Sequence, residues 1–229
     1  MVKPVVANEL KVLFLGKRAD SHGQRALVFC QEHFGEVTAC NGQWGEPLPV
    51  EAMQWRGDLL VSYLSRWVVP QDLLNRAGIA AINFHPATPE YPGIGCNNFA
   101  LYENAASFGA TCHHMSLPVD TGPLVAVTRF PVFAEDTVAT LMERTYDTML
   151  ELFFSVMHTF KSQGVFPANG EHWSREPFTR KQFEELRRIT PEMDAAEVQR
   201  RIRATDYPPW GPYVDMYGCH FRFEQGKNA

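Results

Sequence analysis

The sequence Ala80-Ala-Ile-Asn-Phe-His-Pro86 has the form of a buried strand that ends in a loop. Its apolar run reaches Phe84, and Pro86 cannot donate a ladder hydrogen bond and disfavours helix for the residue before it. Strand-like and helix-like runs alternate on both sides of this stretch, up to about residue 130. Because such alternation is typical of parallel strands joined by helices, we predict an α/β protein with parallel inner strands and helices on both faces of the sheet.

Apolar runs, caps and glycine or proline breaks set the predicted boundaries. Strands are predicted at residues 10–15, 36–39, 58–63, 80–84, 109–118 and 124–132, and short helices at 21–34, 70–76 and 97–107. Ser21 is the expected cap of the first helix, and Asp136 the expected cap of a long amphipathic helix that ends at Gly164. We therefore predict a main domain over residues 1–165 and a small C-terminal extension over residues 166–229.

The C-terminal extension is expected to contain a helix and a hairpin. The helix should begin at Thr190-Pro191, since proline is favoured at the first helical position. The hairpin should cover residues 214–223 around a Tyr-Gly turn. The aromatic residues of this segment are expected mainly to pack, with stacking on a base or contact with a second copy as alternatives. They are Tyr207, Trp210, Tyr213 and Tyr217.

Charge and composition narrow the classes of function. The 229-residue chain has a formal net charge of -5, which disfavours nucleic acid as a partner. No apolar window approaches the roughly 18 residues of a membrane span, and no apolar run marks a secretory signal, so we expect a cytoplasmic protein. The five cysteines are scattered and lack a Cys-x-x-Cys pair, which is typical of reduced intracellular cysteines.

An amide, an imidazole and a carboxylate follow two neighbouring predicted strands. Asn83 and His85 end one strand, and Asp120 follows the next, 35 residues after the histidine. In α/β sheets, ligands bind beyond the carboxyl ends of the strands. An amide can stabilise an oxyanion, an imidazole can accept a proton, and a carboxylate can orient the imidazole. The sequence therefore predicts an acyl-transfer site whose nucleophile comes from the substrate.

A metal site is the alternative for these residues, because His113 and His114 precede Asp120. Adjacent strand residues point to opposite faces, so at most one of this pair can face the site. The set also lacks the ligand pattern of a typical zinc hydrolase. We expect no metal, and we expect His113 near the site.

The loop after the first strand, residues 16–23, matches neither a dinucleotide fingerprint nor an ATP phosphate loop. A dinucleotide or ATP site of either type is therefore disfavoured. Lys17 and Arg18 can still meet a substrate phosphate, although a solvated surface pair is the simpler interpretation.

Four groups of residues, in order and spacing over residues 10–160, resemble the folate-dependent formyltransferases. They are Asn83-x-His85-Pro86, Pro89-x-Tyr91-x-Gly93, Gly109-Ala110-Thr111-x-His113-x-Met115 and Asp120-x-Gly122-Pro123-Leu124. The resemblance implies a Rossmann-like formyltransferase fold and N10-formyltetrahydrofolate as co-substrate, whose formyl group goes to a substrate amine without a metal. It also implies that catalysis rests on Asn83, His85 and Asp120. One departure is Pro86-Ala-Thr-Pro89, where many members have Pro-Ser/Gly-x-Leu-Pro.

The resemblance further implies which residues bind the two substrates. The segment 58–70 resembles the one whose backbone holds the pterin ring, and the loop 120–123 would form the opposite wall. The expected folate contacts are Arg66, Val68, Val69, Asp120, Gly122 and Pro123. The expected contacts to the acceptor substrate are Pro89, Tyr91, Gly93 and His113.

The acceptor is narrowed by comparison with the branches of that family. A methionyl-tRNA enzyme would carry a further C-terminal domain, for which about 65 residues after the long helix are too few. The phosphate loop typical of glycinamide ribonucleotide enzymes is missing from residues 16–23. The branch that resembles this chain acts on amino-dideoxysugars linked to dTDP or GDP, and it implies a homodimer formed through the hairpin. Phosphoribosylglycinamide formyltransferase and a non-catalytic folate- or nucleotide-binding protein remain the alternatives.

Overall fold

A six-stranded sheet in the order β2-β1-β3-β4-β5-β6 forms the centre of the molecule, in a computed structural model that describes residues 6–224. The strands are β1 (Lys11–Lys17), β2 (Glu36–Gly42), β3 (Gly57–Tyr63), β4 (Ala77–His85), β5 (Ser107–His114) and β6 (Leu124–Pro131). β1 to β4 pair in parallel, whereas β5 pairs antiparallel with both β4 and β6. The predicted α/β fold with a mostly parallel sheet is confirmed.

Helices cover both faces of the sheet, as predicted. They are α1 (Ser21–His33), α2 (Val50–Gln54), α3 (Gln71–Leu74), α4 (Cys96–Tyr102) and α5 (Val138–Gln163), after one 3-10 turn at Ala7–Glu9. Alternate residues of β1 belong to different cores: Phe14 packs in the cluster that contains Phe153 of α5, and Leu13 packs in the cluster that contains Leu73 of α3. This is the side-chain alternation of a strand buried on both faces.

Two predicted helix caps are wrong by one residue. Asp20, not Ser21, caps α1, because its side chain accepts a hydrogen bond from the backbone N–H of Gly23. Thr137, not Asp136, caps α5, while Asp136 accepts the N–H of Phe133 instead. In both cases two adjacent polar residues could occupy the N-cap position, and the backbone conformation before the helix determines which of them does.

Two predicted elements are shorter in the structure. β5 ends at His114 rather than at 118, and the next residues form a loop in which Pro118 lacks a backbone donor. α4 ends at Tyr102 rather than at 107, and Asn104 takes a left-handed conformation with φ of 51°. Asp120 therefore lies on a loop between two strands and not directly at a strand end.

The C-terminal segment contains two helices and a hairpin. They are α6 (Arg180–Arg187), α7 (Ala195–Thr205), β7 (Tyr213–Met216) and β8 (Cys219–Arg222). α6 was not predicted, because only two of its side chains mark an apolar stripe. The predicted start at Thr190 is wrong, since Asp194 caps α7 by accepting from the N–H of Glu197. The hairpin is confirmed.

The C-terminal segment packs directly on the loop before α4. Ile94 donates its backbone N–H to the carbonyl oxygen of Phe178 at 2.9 Å, and Gly93 forms a bridge with the same residue. The division at residue 165 stays a prediction. The ends of the two predicted units, residues 1–5 and 225–229, lie outside the described residues. Among the described residues, no helix is both long and apolar enough to cross a membrane.

Candidate active site

A cavity of about 510 Å³ opens beyond the C-terminal ends of β3 and β4. Asn83, His85, His113 and Asp120 all line it. β4 and β5 bring three of them together, because their register places Asn83 opposite His113 and His85 opposite Thr111. The position of the cavity agrees with the general location of ligand sites in α/β sheets.

Asp120 lies between the two histidines. Its carboxylate oxygens are 3.5 Å from Nδ1 of His85 and 3.4 Å from Nε2 of His113, and one of them accepts the N–H of Gly93 at 2.9 Å. Burial alone would raise the Asp120 pKa, but the nearby His85 charge and the hydrogen bonds from His113 and Gly93 outweigh it and hold the pKa well below its usual range. The Asp120 carboxylate is therefore ionised at neutral pH.

Asp120 also has an unusual backbone conformation, with φ of 52°. Residues other than glycine rarely enter this left-handed region, although aspartate tolerates it better than most. Such conformations persist where the surrounding structure imposes them, and they cluster at functional sites. Here the conformation belongs to the residue that contacts both histidines.

His85 is enclosed, with 5% of its surface exposed. Its Nε2 lies 3.1 Å from the carbonyl oxygen of Tyr91, and its Nδ1 faces Asp120. Both ring nitrogens thus face oxygen acceptors, and both can donate at once only when the ring carries two protons. A ligand atom that enters beside Nε2 would compete with Tyr91 for that donor.

His113 holds the amide of Asn83 in place. The Nδ1 of His113 is 2.9 Å from the carbonyl oxygen of His114. A proton on Nε2 of His113 is donated to Asp120, which is 3.4 Å away; with the proton on Nδ1 instead, Nε2 accepts from Nδ2 of Asn83 at 3.1 Å. One N–H of the Asn83 amide is then used internally, and the second remains available to a ligand. His114 points the other way and contacts the carbonyl oxygen of Phe166 at 2.9 Å, as strand alternation predicted.

Trp173 was missed by sequence reasoning. Its ring centroid lies 5.8 Å from that of His85 and 5.0 Å from that of His113, edge to face in both cases. Its Nε1–H donates to the carbonyl oxygen of Gly122 at 2.8 Å, which ties it to the loop of Asp120. Trp173 lies in an irregular segment between helices, so no periodic pattern could have indicated its role.

Two residues that line the cavity were also missed, at the start of α4. The Nδ2 atom of Asn97 is buried and has no hydrogen-bond partner among the described residues, although Asn97 lines the cavity. Burial raises the pKa of the neighbouring Cys96 thiol to about 12, so this cysteine stays protonated and is no thiolate nucleophile. Asn97 was predicted as the start of the helix 97–107 and Cys96 as one of the scattered cysteines, so neither was predicted to line the site.

The predicted folate contacts divide into two groups. Arg66, Val68 and Val69 line the cavity, next to an apolar slot that the loops after β3 and β5 form. The side chains of this slot include Leu64, Trp67, Leu74, Met115, Leu117 and Val119. Gly122 and Pro123 do not line the cavity, because both lie against the backbone of His114: a side chain at 122 would come within 1.9 Å of the His114 oxygen, and the Pro123 oxygen accepts the His114 N–H.

The predicted acceptor contacts divide in the same way. Gly93 and His113 line the cavity, and only glycine fits at 93, since φ is 88° and a Cβ would lie 2.4 Å from the oxygen of Phe178. Pro89 and Tyr91 do not line it. The side chain of Tyr91 is buried in a hydrophobic core, and the carbonyl oxygen of Pro89 accepts the N–H of Ser174. Tyr91 still contributes its carbonyl oxygen to His85.

The basic pair after β1 is engaged elsewhere. Arg18 pairs with Glu46 at 2.7 Å, and Lys17 pairs with Asp20 at 3.3 Å. Neither basic residue lines the cavity. In the part of the chain that the structure describes, no cluster of three or more His, Cys, Asp or Glu side chains is arranged to hold a metal ion.

The fold and the cavity define an α/β enzyme-like protein with one ionised carboxylate between two histidines and an amide. Residues 20–157 match the family described as formyl transferase. Because this match covers more than half of the chain, the chain belongs to the formyl transferase family.

Known proteins of this family show different acceptors in their names. The chain is 27% identical over 148 residues to the methionyl-tRNA formyltransferase of Janthinobacterium sp. (strain Marseille). The aligned region covers 64% of this chain and 46% of that protein. The chain is 27% identical over 162 residues to the GDP-perosamine N-formyltransferase of Brucella melitensis biotype 1, which covers 69% of this chain and 60% of that protein. The chain thus spans about half the length of the curated relatives that it matches.

Solved structures share the fold over nearly the whole chain. One is the N-formyltransferase of Helicobacter canadensis in complex with folinic acid and dTDP-3-aminofucose. It has a TM-score of 0.68 and 17% sequence identity, and the match covers 91% of this chain and 85% of that chain. The formyltransferase fold implied by the sequence resemblance is thereby confirmed, and it includes the C-terminal segment.

Proposed function

We propose that this protein transfers the formyl group of N10-formyltetrahydrofolate to the amine of a nucleotide-linked amino-dideoxysugar. The observation that carries this proposal is the meeting of Asn83, His85 and Asp120 in one cavity of a formyl transferase family member. The names of a GDP-perosamine enzyme and of a complex with dTDP-3-aminofucose, among similar proteins, support the sugar-nucleotide class.

In the proposed reaction, the unprotonated amine attacks the formyl carbon directly, and Asn83 and His85 stabilise the oxyanion that forms. The free N–H of the Asn83 amide and the Nε2–H of His85 are the two donors, the second shared with the carbonyl oxygen of Tyr91. Such donors act strongly because the site is buried and they are already oriented. Asp120, as an ionised neighbour, holds the imidazole and stabilises it while it carries a second proton.

His85 also moves the proton. When the tetrahedral carbon collapses, the amine must lose a proton and the folate nitrogen must gain one. A doubly protonated imidazole within reach of both can donate its Nε2 proton to the departing folate nitrogen and then, as the neutral ring, accept the proton that the amine loses. No covalent enzyme intermediate is required, which agrees with the protonated state of Cys96, the thiol in the cavity.

The apolar slot beside Arg66, Val68 and Val69 fits the pterin and aryl parts of a folate. It is lined by backbone and apolar side chains on two loops, and such slots favour flat, largely apolar ligands. The acceptor would then lie on the other side of His85. That side is lined by Gly93, Asn97 and residues of the C-terminal segment.

We further propose that the hairpin β7–β8 mediates a homodimer. Its turn residue Tyr217 is 94% exposed and Phe221 is 51% exposed, although both are large aromatic side chains. Exposed apolar groups of this kind often mark protein contacts. The C-terminal segment would then both close the cavity and join two copies.

The test is a formyl-transfer assay with N10-formyltetrahydrofolate and a panel of amines. The panel contains dTDP-4-amino-4,6-dideoxyglucose, its 3-amino isomer, GDP-perosamine and glycinamide ribonucleotide. We expect turnover of one amino sugar and a loss of about 100- to 1,000-fold in kcat for His85→Ala. The matched control is His158→Ala, which removes an exposed histidine of α5 outside the cavity and should keep full activity.

Other outcomes would change the assignment. Turnover of glycinamide ribonucleotide alone would make the protein a phosphoribosylglycinamide formyltransferase. Binding of folate or nucleotide without turnover of any amine would make it a binding protein on this fold. Full activity of His85→Ala would refute the role given to His85.

A further inference from the structure

Four side chains at the mouth of the cavity form a row of alternating arginine and tryptophan. The guanidinium of Arg66 lies 5.0 Å from a ring of Trp44, and that of Arg180 lies 5.7 Å from a ring of the same residue. Arg180 also lies 5.3 Å from a ring of Trp210. We call these four residues the mouth row. All four line the same cavity as His85.

The two arginines of the mouth row have unused hydrogen-bond donors. Within residues 6–224, neither the Arg66 nor the Arg180 side chain forms a salt bridge or a hydrogen bond, whereas the nearby Arg18 side chain has a bidentate pair with Glu46. A guanidinium that stacks on an indole keeps the N–H groups at its edge free. The indoles therefore orient two cations and leave their donors to a ligand.

The two indoles are themselves exposed. Trp44 has 58% and Trp210 has 45% of its surface accessible, although tryptophan normally buries most of its area. The chain as a whole carries a net charge of -5, so two unpaired arginines beside exposed aromatic rings are a local exception. This combination attracts an anion that also has a flat ring.

We propose that the mouth row binds the nucleoside diphosphate part of the acceptor, an inference that rests on the proposed amino-sugar function. Arginine binds phosphate through two parallel N–H groups, and two arginines beside one indole suit two adjacent phosphates. The free edge or face of an indole can stack on the base. The sugar would extend from the mouth row inward, so that its amine reaches Asn83 and His85.

The position of two of the four residues of the mouth row favours the acceptor over the folate tail. Arg180 and Trp210 lie outside residues 20–157, the part that matches the family. A donor that a family shares requires residues in the shared part, whereas acceptor recognition can use residues outside it. The backbone of Arg66 remains available to the folate slot, since only its side chain stacks on Trp44.

The test is a calorimetric titration of the whole protein with dTDP, GDP and UDP in the absence of folate. We expect Arg66→Gln and Arg180→Gln each to raise the Kd of the preferred nucleotide about 10- to 100-fold, the effect of one charge-assisted phosphate contact. Arg180→Lys keeps the charge without the planar fork and should give a smaller increase. Arg56→Gln removes an exposed arginine outside the cavity and controls for net charge, so its Kd should change less than twofold.

Several results would overturn the proposal. They are no nucleotide binding by the unaltered protein, an unchanged Kd in both glutamine variants, or a loss of affinity for 5-formyltetrahydrofolate instead. The last result would assign the mouth row to the glutamate tail of the folate. Nucleotide binding is measured separately from formyl transfer. If the nucleotide affinity depends on these arginines but no amine is turned over, the proposed reaction is refuted and the nucleotide site is not.

Discussion

Replacement of Trp173 tests whether the cavity depends on a residue that lies outside the matched family segment. Trp173 makes two kinds of contact: an indole N–H bond of 2.8 Å to Gly122, and edge-to-face contacts with His85 and His113. Trp173→Phe removes only the hydrogen bond, and Trp173→Ala removes both kinds. The two variants therefore separate the position of the Asp120 loop from the packing of the imidazoles.

The size of each effect follows from these contacts. The hydrogen bond contributes about 1 kcal/mol net, and each aromatic pair about 0.5–1.5 kcal/mol. Because Trp173 is only half-buried, the total for alanine is about 2 to 3 kcal/mol. If the contacts hold the catalytic geometry in the transition state, kcat falls about 5-fold for phenylalanine and about 30- to 150-fold for alanine.

The assay combines formyl-transfer kinetics with thermal unfolding and NMR spectra of the imidazole nitrogens. We expect a fall in kcat with a smaller change in the KM for the amine, and shifted signals for both His85 and His113. Trp55→Phe, a substitution in the separate core below β1 and β3, is the control for packing loss alone. A Trp173→Ala protein with a lower Tm but with kcat within twofold of the unaltered enzyme would refute the reasoning.

Three further predictions concern the same cavity. Asn97→Leu removes a buried N–H that has no partner, so the Tm should stay equal or rise. The same substitution should raise the KM of the amine about 10-fold. An unchanged KM would contradict a contact between Asn97 and the ligand. Folding lowers the Asp120 pKa from its ordinary value of 3.8. The ionised carboxylate therefore stabilises the folded protein above pH 3.8, and this stabilisation is lost as the pH falls below 3.8. The difference in the free energy of unfolding between the native protein and Asp120→Asn should therefore shrink between about pH 5 and pH 2, as urea titrations would show. Cys96→Ala should keep kcat within about threefold, and at neutral pH iodoacetamide should label the exposed Cys219 far faster than Cys96, as peptide mass mapping would show.

Much of the fold was accessible from the sequence because the relevant signals are local. Apolar runs and breaks located all six strands of the sheet within a few residues, and Gly164 marked the end of α5. Errors occurred where two polar residues competed for a cap, as at Asp20 and Ser21. α6 was missed because eight residues with two apolar side chains give too short a periodic pattern.

The candidate site was accessible only in part. Motif spacing indicated Asn83, His85 and Asp120, and the structure brings these three side chains to one cavity. The same motifs also suggested Gly122 and Tyr91 as ligand contacts. The backbone of Gly122 lies against His114, however, and the side chain of Tyr91 is buried in a hydrophobic core. A motif preserves residue identity and spacing, and it does not distinguish a residue that faces the ligand from one that supports the loop behind it.

Local pattern alone thus accounts for the α/β alternation, the end of β4 at the Asn83-x-His85-Pro86 motif and the prediction of acyl transfer, which the resemblance to a family narrows to formyl transfer. The course of the chain in three dimensions accounts for the contacts that make those residues a site. The carbonyl oxygen of Tyr91 on His85, the indole of Trp173 over two histidines and the pairing of Arg66 with Arg180 across Trp44 all join residues through folding. The physical reason is that hydrophobic periodicity acts over a few residues, whereas such contacts depend on where distant segments pack.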